Sequence, residues 1–219
     1  KPVAPLLQLD GMAVSEGGAR RVNQIRVNGV NEKFGDVTGT SLFNSLTGDE
    51  VAVSENLARQ LEVSAGDVLI VRIAKASLMP RNTPFVSENE TTVTLRATIR
   101  FVAGSDNMGL FNLQNSQRAP YNLFLSIDRL NRLMELSNRA NRLLVAGDIT
   151  TEQLGKALGE SLQPEDVGLA FRHIAPTDEI EIYTERIFME DQISAKFISL
   201  PESRPLLTYF VNAITKEGK

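Results

Sequence analysis

The chain has one histidine, His173, and most familiar side-chain chemistry would have to pass through it. A serine triad needs an imidazole base, and a zinc site needs several converging nitrogen, oxygen or sulfur ligands. His173 follows Val167, Leu169 and Phe171 at alternating positions, so the spacing predicts a residue at the end of a buried strand stripe. The absence of cysteine excludes disulfides, thiolate metal sites and cysteine nucleophiles. No G-x-S-x-G elbow and no S-x-x-K pair marks an activated serine, and neither G-x-G-x-x-G nor G-x-x-x-x-G-K-[ST] marks a phosphate loop. Four carboxylates, Asp178, Glu179, Glu181 and Glu185, invite comparison with a paired-acid or calcium site. The calcium-loop spacing with its central glycine is not met, and alternation puts Glu179, Glu181 and Glu185 on one solvated face opposite Ile180 and Ile182.

Three weaker signals remain. Arg118, Arg129, Arg132, Arg139 and Arg142 make the middle of the chain locally basic, which suits an anionic surface or simply the outer face of a helix balanced by Asp128 and Glu135. Met108, Leu110 and Phe111 sit in the polar stretch DNMGLFNLQN, where they either contact a partner or tuck back onto the core; they are the candidate partner contact. Asn89-Glu90-Thr91 is a glycosylation sequon, a triplet that arises often by chance.

The elements that must carry these residues are best defined between Glu50 and Ile73, EVAVSENLARQLEVSAGDVLIVRI. Val51–Val53 reads as a strand, and Ser54 is a helix cap. Leu57, Ala58 and Leu61 form the inner face of a short helix, Ala65-Gly66-Asp67 a turn, and Val68–Ile73 a second strand. Upstream, residues 5–14 and 20–30 form a hairpin about Glu16-Gly17-Gly18, followed by a connection from Asn31 to Asp49 with one helical turn near Leu42–Leu46. Residues 91–103 alternate cleanly, with Val93, Leu95, Ala97, Ile99 and Phe101 facing in. A loop or an exposed hairpin is expected over 74–90, and an irregular stretch over 104–120. Tyr121–Leu125 reads as a strand, and Ser126 caps a helix running through about Ser137, with Ile127, Leu130, Leu133 and Met134 on its inner face. Arg142–Ala146 is a strand, and a helix from Thr150 or Thr151 carries the apolar stripe Leu154, Ala157, Leu158 and Leu162. Strands are expected at Val167–Ile174, Glu179–Ile187 and Leu206–Ile214, with a short helix within 188–198. No short-period repeat stands out.

The 219 residues suffice for one large domain or two small ones, and 42% hydrophobic content argues against disorder. A net charge of -4 leaves no basic surplus for a nucleic acid. No apolar run reaches the roughly 18 residues of a membrane-spanning helix. No signal peptide is visible, and a start at Lys1 suggests a mature fragment or an excised piece of a longer protein.

Three ordered segments resemble the extracytoplasmic domain of FtsX-like ABC transporter permeases, the MacB-type periplasmic core domain. They are VNQIRVNGVNEKF, VAVSENLARQLEVSAGDVLIV and PYNLFLSIDRLNRLMELSNRANRLLVA, and the tail LLTYFVNAIT resembles the strand returning toward the next membrane helix. The resemblance implies a mixed α/β or α+β fold with mixed sheets and short helices. It implies one extracytoplasmic domain over 1–219, with a membrane-proximal lobe from both chain ends and an inserted lobe bounded near 74–90 and 104–120. It further implies a non-catalytic part of a bacterial membrane permease on the periplasmic or extracellular side. Such a part couples ATP-driven motion of the transmembrane helices to handling of a substrate or partner. No cofactor is implied in this domain, since ATP would bind a separate cytoplasmic ATPase. The implied partners are the permease's own membrane helices, that ATPase, envelope accessory proteins or a lipoprotein substrate, and a second permease copy in a homodimer or heterodimer. The connections at 74–90 and 104–120 are longer than in MacB itself. The alternative reading is a freestanding envelope binding or adhesion module, motivated by the Asn-rich loops. A hydrolase or metal enzyme built on Glu179, Glu181 and His173 is the third.

Overall fold

The computed structural model describes residues 1–75, 92–114, 118–184, 189 and 191–206. Chain contacts divide it into Lys1–Leu158 and Gly159–Lys219. The expected sequon at 89–91 lies outside the described residues, as do Glu185 and all of the expected last strand beyond Leu206.

In the first unit, β1 (Val3–Ser15) and β2 (Arg21–Val30) form the expected hairpin, its turn made by Gly17 and Gly18, both at positive φ. The alternation of β2 is imperfect for a structural reason. A bulge between Gly11 and Ala13 lets Val22 and Ile25 both face the interior. The connection after β2 contains a helix that its sequence did not announce, α1 (Glu32–Thr38), ended by Gly39 in the left-handed conformation. A 3-10 turn at Leu42–Ser45 follows, close to the expected helical turn.

β3 (Glu50–Ser54), α2 (Glu55–Leu61) and β4 (Val68–Ala74) reproduce the strand–helix–strand reading, with Leu57, Ala58 and Leu61 buried. Two details differ. Ser54 makes no cap hydrogen bond, and the helix ends at Glu62, which itself takes the left-handed conformation at φ 53°. β5 (Thr92–Ala103) alternates as expected through Ile99, where an extra residue against β3 shifts the register. Beyond that bulge, Phe101 faces a different cluster from Leu95, Ala97 and Ile99. β6 (Asn122–Ser126) leads into α3 (Ile127–Leu133), which stops well short of Ser137, and β7 (Arg142–Val145) follows.

Six of these strands close on themselves. β1 pairs with β2, β2 with β6, β6 with β3, β3 with β5, β5 with β4, and β4 with β1, while β7 pairs only with the first residues of β1. The circuit maps onto itself if β1, β2, β3 and α2 are exchanged with β4, β5, β6 and α3. Antiparallel β1–β2 then becomes antiparallel β4–β5, and parallel β2–β6 becomes parallel β5–β3. The barrel is therefore two interlocked copies of one strand–strand–strand–helix unit. Residues spaced by two line its interior: Val51 and Val53, Leu69, Val71 and Ile73, Leu95, Ala97 and Ile99, Leu123 and Leu125. α2 and α3 add Leu57, Leu61, Leu130 and Met134 to the same cluster.

The intervening residues of β3 and β6, Ala52 and Phe124, are buried too, in a second cluster on the outer side of the wall. α1 and the 3-10 turn cover it with Phe34 and Phe43. Phe34 lies edge-on to Phe43 and Phe111 at centroid distances of 5.6 and 5.4 Å.

The closure shows which strands flank the two segments near which lobe boundaries were expected. β4 and β5 flank the 74–90 segment yet are adjacent antiparallel strands of one barrel, and β5 and β6 flank 104–120 and both pair with β3. The contact division of the chain falls at Leu158 and Gly159, within α4 (Thr151–Ser161).

The second unit holds a hairpin of β8 (Leu169–Ile174) and β9 (Glu179–Thr184), followed by α5 (Asp191–Ile198).

Candidate functional site

The stretch that held the candidate contact residues is anchored from below by three buried polar side chains. β6 brings Asn122 to the outer face of the barrel wall, two residues from Phe124 and fully out of solvent. Its Nδ2 donates to the carbonyls of Gly109 at 2.9 Å and Phe111 at 2.8 Å. Its Oδ1 accepts from Asn28 Nδ2 at 3.3 Å, and Gln8 Nε2 donates to Asn28 Oδ1 at 2.9 Å. Ser54, expected as a cap, accepts the Asn122 backbone N–H at 3.0 Å instead. A buried amide is tolerable only when its donors and acceptors are met, and here the loop backbone meets them.

The anchoring divides the candidate contact residues. Phe111 is 9% exposed and packs edge-on against Phe34, and Met108, in the left-handed conformation at φ 62°, packs beside the same cluster. Leu110, held between two carbonyls that point inward, is 47% exposed, and Leu113 shares that exposure. Gly109 is obligatory at this corner, because a Cβ there would sit 2.1 Å from the Ala103 carbonyl oxygen. Sequence reading found the apolar residues but could not sort them, since their directions are set by Asn122 from a different strand.

His173 does not end a buried stripe. Its strand is exposed, and Nε2 lies 2.9 Å from Asp178 Oδ1 across the tight turn of the β8–β9 hairpin. Glu181 pairs with Arg172, whose guanidinium lies over the Tyr183 ring at 5.6 Å, and Glu179 accepts from Thr177 Oγ1 at 2.8 Å. Each of the three described carboxylates, Asp178, Glu179 and Glu181, thus has a local partner of its own. Among the described residues, no three His, Asp or Glu side chains gather to hold a metal ion. The apolar face of this hairpin is open only in part: Phe171 is 48% and Ile180 69% exposed, while Ile182 is half-buried and Leu169 buried. The stripe on α4 is open as well, with no buried residue and Leu158 half exposed. An apolar groove of about 280 Å³ runs between Val167, Leu169, Ile193, Phe197 and Leu200 with Lys196 at its side.

Arg129 Nε donates to Asp49 at 2.6 Å, while Lys75 takes up Glu135 at 3.0 Å. Among the described residues, Arg142 donates only to the neighbouring Asn141 carbonyl. One carboxyl is shifted: the Thr47 N–H and hydroxyl, with a smaller contribution from the Arg100 guanidinium, hold Glu50 below its usual range. A shallow polar depression of about 500 Å³ between the β1–β2 turn and the α2–β4 turn is spanned by the Arg20–Glu62 ion pair.

No protein-family model and no curated protein sequence matches the chain. Among solved structures, it is similar to the periplasmic region of MacB from Actinobacillus actinomycetemcomitans, at 13% identity and a TM-score of 0.42 over 91% of this chain and 77% of that one. It is also similar to the extracellular domain of the noncanonic ABC-type transporter YknZ from Gram-positive bacteria, at 12% identity and a TM-score of 0.43 over 71% and 69%.

Proposed function

We propose that the chain is a non-catalytic extracytoplasmic domain of an ABC transporter permease. The reading rests on one observation, the order in which three segments resembling such domains occur: VNQIRVNGVNEKF, then VAVSENLARQLEVSAGDVLIV, then PYNLFLSIDRLNRLMELSNRANRLLVA. The order suits a single folding unit, because these segments supply β2 with α1, β3 to β4, and β6 to β7. In this reading the domain carries no ATP site. Membrane helices of the same permease and a cytoplasmic ATPase supply the motion, and the domain transmits it to a substrate or partner in the envelope. A closed barrel fits that work, since a wall hydrogen-bonded all round moves as one body.

Because the chain has no cysteine, its compartment can be read with a single introduced one. Glu152→Cys, on the exposed side of α4, is introduced into the gene product as the cell makes it. The thiol is then treated with a membrane-impermeant maleimide in intact cells whose outer permeability barrier has been opened. Labelling before lysis is expected. Labelling only after the inner membrane is broken would overturn the proposal.

A further inference from the structure

The closed barrel leaves β7 as the one strand of the first unit with a free side among the described residues. The Ala146 N–H donates to the Pro2 carbonyl at 3.1 Å, which sets the antiparallel register of β7 on β1. Hydrogen-bonded pairs therefore fall at 2 with 146, 4 with 144 and 6 with 142, while Pro5, which has no N–H to give, sits opposite Leu143 in a non-bonded pair. It follows that the N–H and C=O groups of Leu143 and Val145 point away from β1, where no described residue receives them. Leu143 is also 57% exposed, beside Val3 on the same face.

This edge is held rigid. Asn141 Oδ1 accepts the Gln8 N–H at 2.9 Å and its Nδ2 donates to the Gln8 carbonyl at 2.8 Å, so a side chain continues the ladder where the strand ends. Asn131 fixes the preceding turn through both the N–H and the carbonyl of Arg139. β7 contains no proline, no lysine and no bulge; what guards the edge is only its length of four residues and one charged side chain. Its single charge, Arg142, has no carboxylate partner among the described residues.

We propose that the free edge of β7 is a strand-addition site for an extended peptide segment of a partner protein. The segment pairs antiparallel, with apolar side chains opposite Leu143 and Val145 and a carboxylate opposite Arg142. Main-chain bonds to Leu143 and Val145 supply the attachment, and the alternation of apolar and polar side chains supplies the register. The inference is independent of the compartment in which the domain works.

The test is amide exchange and chemical-shift mapping on the ¹⁵N-labelled chain, titrated with the peptide acetyl-Thr-Val-Thr-Val-Glu-Thr-amide. The Leu143 and Val145 amides are expected to exchange freely without peptide and to slow about tenfold or more with it, while Leu144, bonded to β1, is protected throughout. The same peptide N-methylated at both valines should bind about tenfold more weakly or not at all. Val145→Pro should lose the effect with Leu144 still protected. Should that variant misfold, the N-methylated peptide tests the same bonds in the unaltered protein. Absence of selective protection at millimolar peptide would overturn the proposal. So would protection of these two amides without peptide that grows with protein concentration, since a second copy would then occupy the edge.

Discussion

Asn122→Ala tests the idea that the 104–114 stretch is held by a buried amide rather than by its own apolar residues. The substitution removes two donors at 2.9 and 2.8 Å and strands the carbonyls of Gly109 and Phe111 beneath the loop. A buried polar group left without its partner costs about 1–3 kcal/mol. Asn28 Nδ2 keeps the Arg26 carbonyl at 3.3 Å, so its loss is smaller. Two carbonyls at the lower half of that range give about 3 kcal/mol. For a chain of this size each kcal/mol moves the melting temperature by about 2–4 °C, so a fall of about 6–12 °C is expected. Thermal unfolding followed by far-ultraviolet circular dichroism measures it. Amide exchange should show the Phe111 N–H, which donates to the Met108 carbonyl at 3.0 Å, opening before the barrel strands do. Asn122→Asp should be no better, because a carboxylate cannot donate to either carbonyl. A melting temperature within about 2 °C of the parent, on the same slope of about 2–4 °C per kcal/mol, would refute the reasoning and assign the loop's order to Phe111 alone.

Three further outcomes follow from the packing and from one shifted carboxyl. Leu57→Ala, in the barrel interior, should cost about 2–5 kcal/mol in urea unfolding, whereas Leu158→Ala on the open stripe of α4 should stay within about 0.5 kcal/mol; equal costs would mean that α4 is buried after all. Gly29→Ala would bring a Cβ to 3.1 Å from the Ile127 Cα and 3.0 Å from Leu130 Cδ2. Backbone cannot yield as a side-chain tip does, so α3 must shift at a cost of about 1–3 kcal/mol, visible as displaced Ile127 and Leu130 resonances. The Thr47 N–H and hydroxyl hold the folded Glu50 carboxyl below the ordinary glutamate value of 4.5. Its contribution to stability is therefore complete above that value and fades as pH falls through the lower folded one. Glu50→Gln should flatten the acid limb of the stability profile, and an unchanged slope below pH 4.5 would count against the Thr47 contacts.

Much of the local structure was legible from residue order. Periodicity of two marked β5, helical spacing after Ser54 and Ser126 marked α2 and α3, and paired glycines marked the first hairpin. These signals are readable because they arise within a few residues of each other. The candidate contact was half legible: DNMGLFNLQN announced apolar residues in a polar loop, yet which of them point inward depends on Asn122. α1 escaped notice because Glu32–Thr38 holds a single buried residue, Phe34, and so shows no period.

The sequence by itself determined most of the strands and helices of the barrel, though not α1, together with the absence of cysteine chemistry and the poverty of catalytic motifs. Only the tertiary structure decided that β1 to β6 close into a barrel of two exchanged halves. It alone turned Ser54 and Asn122 toward each other across 68 positions, tied Asn28 to Asn122 across 94, and joined Gln8 to Asn141 across 133. It also left Phe171, Ile180 and the α4 stripe open, against their apolar pattern. The physical reason is the same in each case. A side chain's periodicity is fixed by its own backbone, whereas its burial and its hydrogen-bond partner are fixed by whichever distant strand the closed sheet brings alongside.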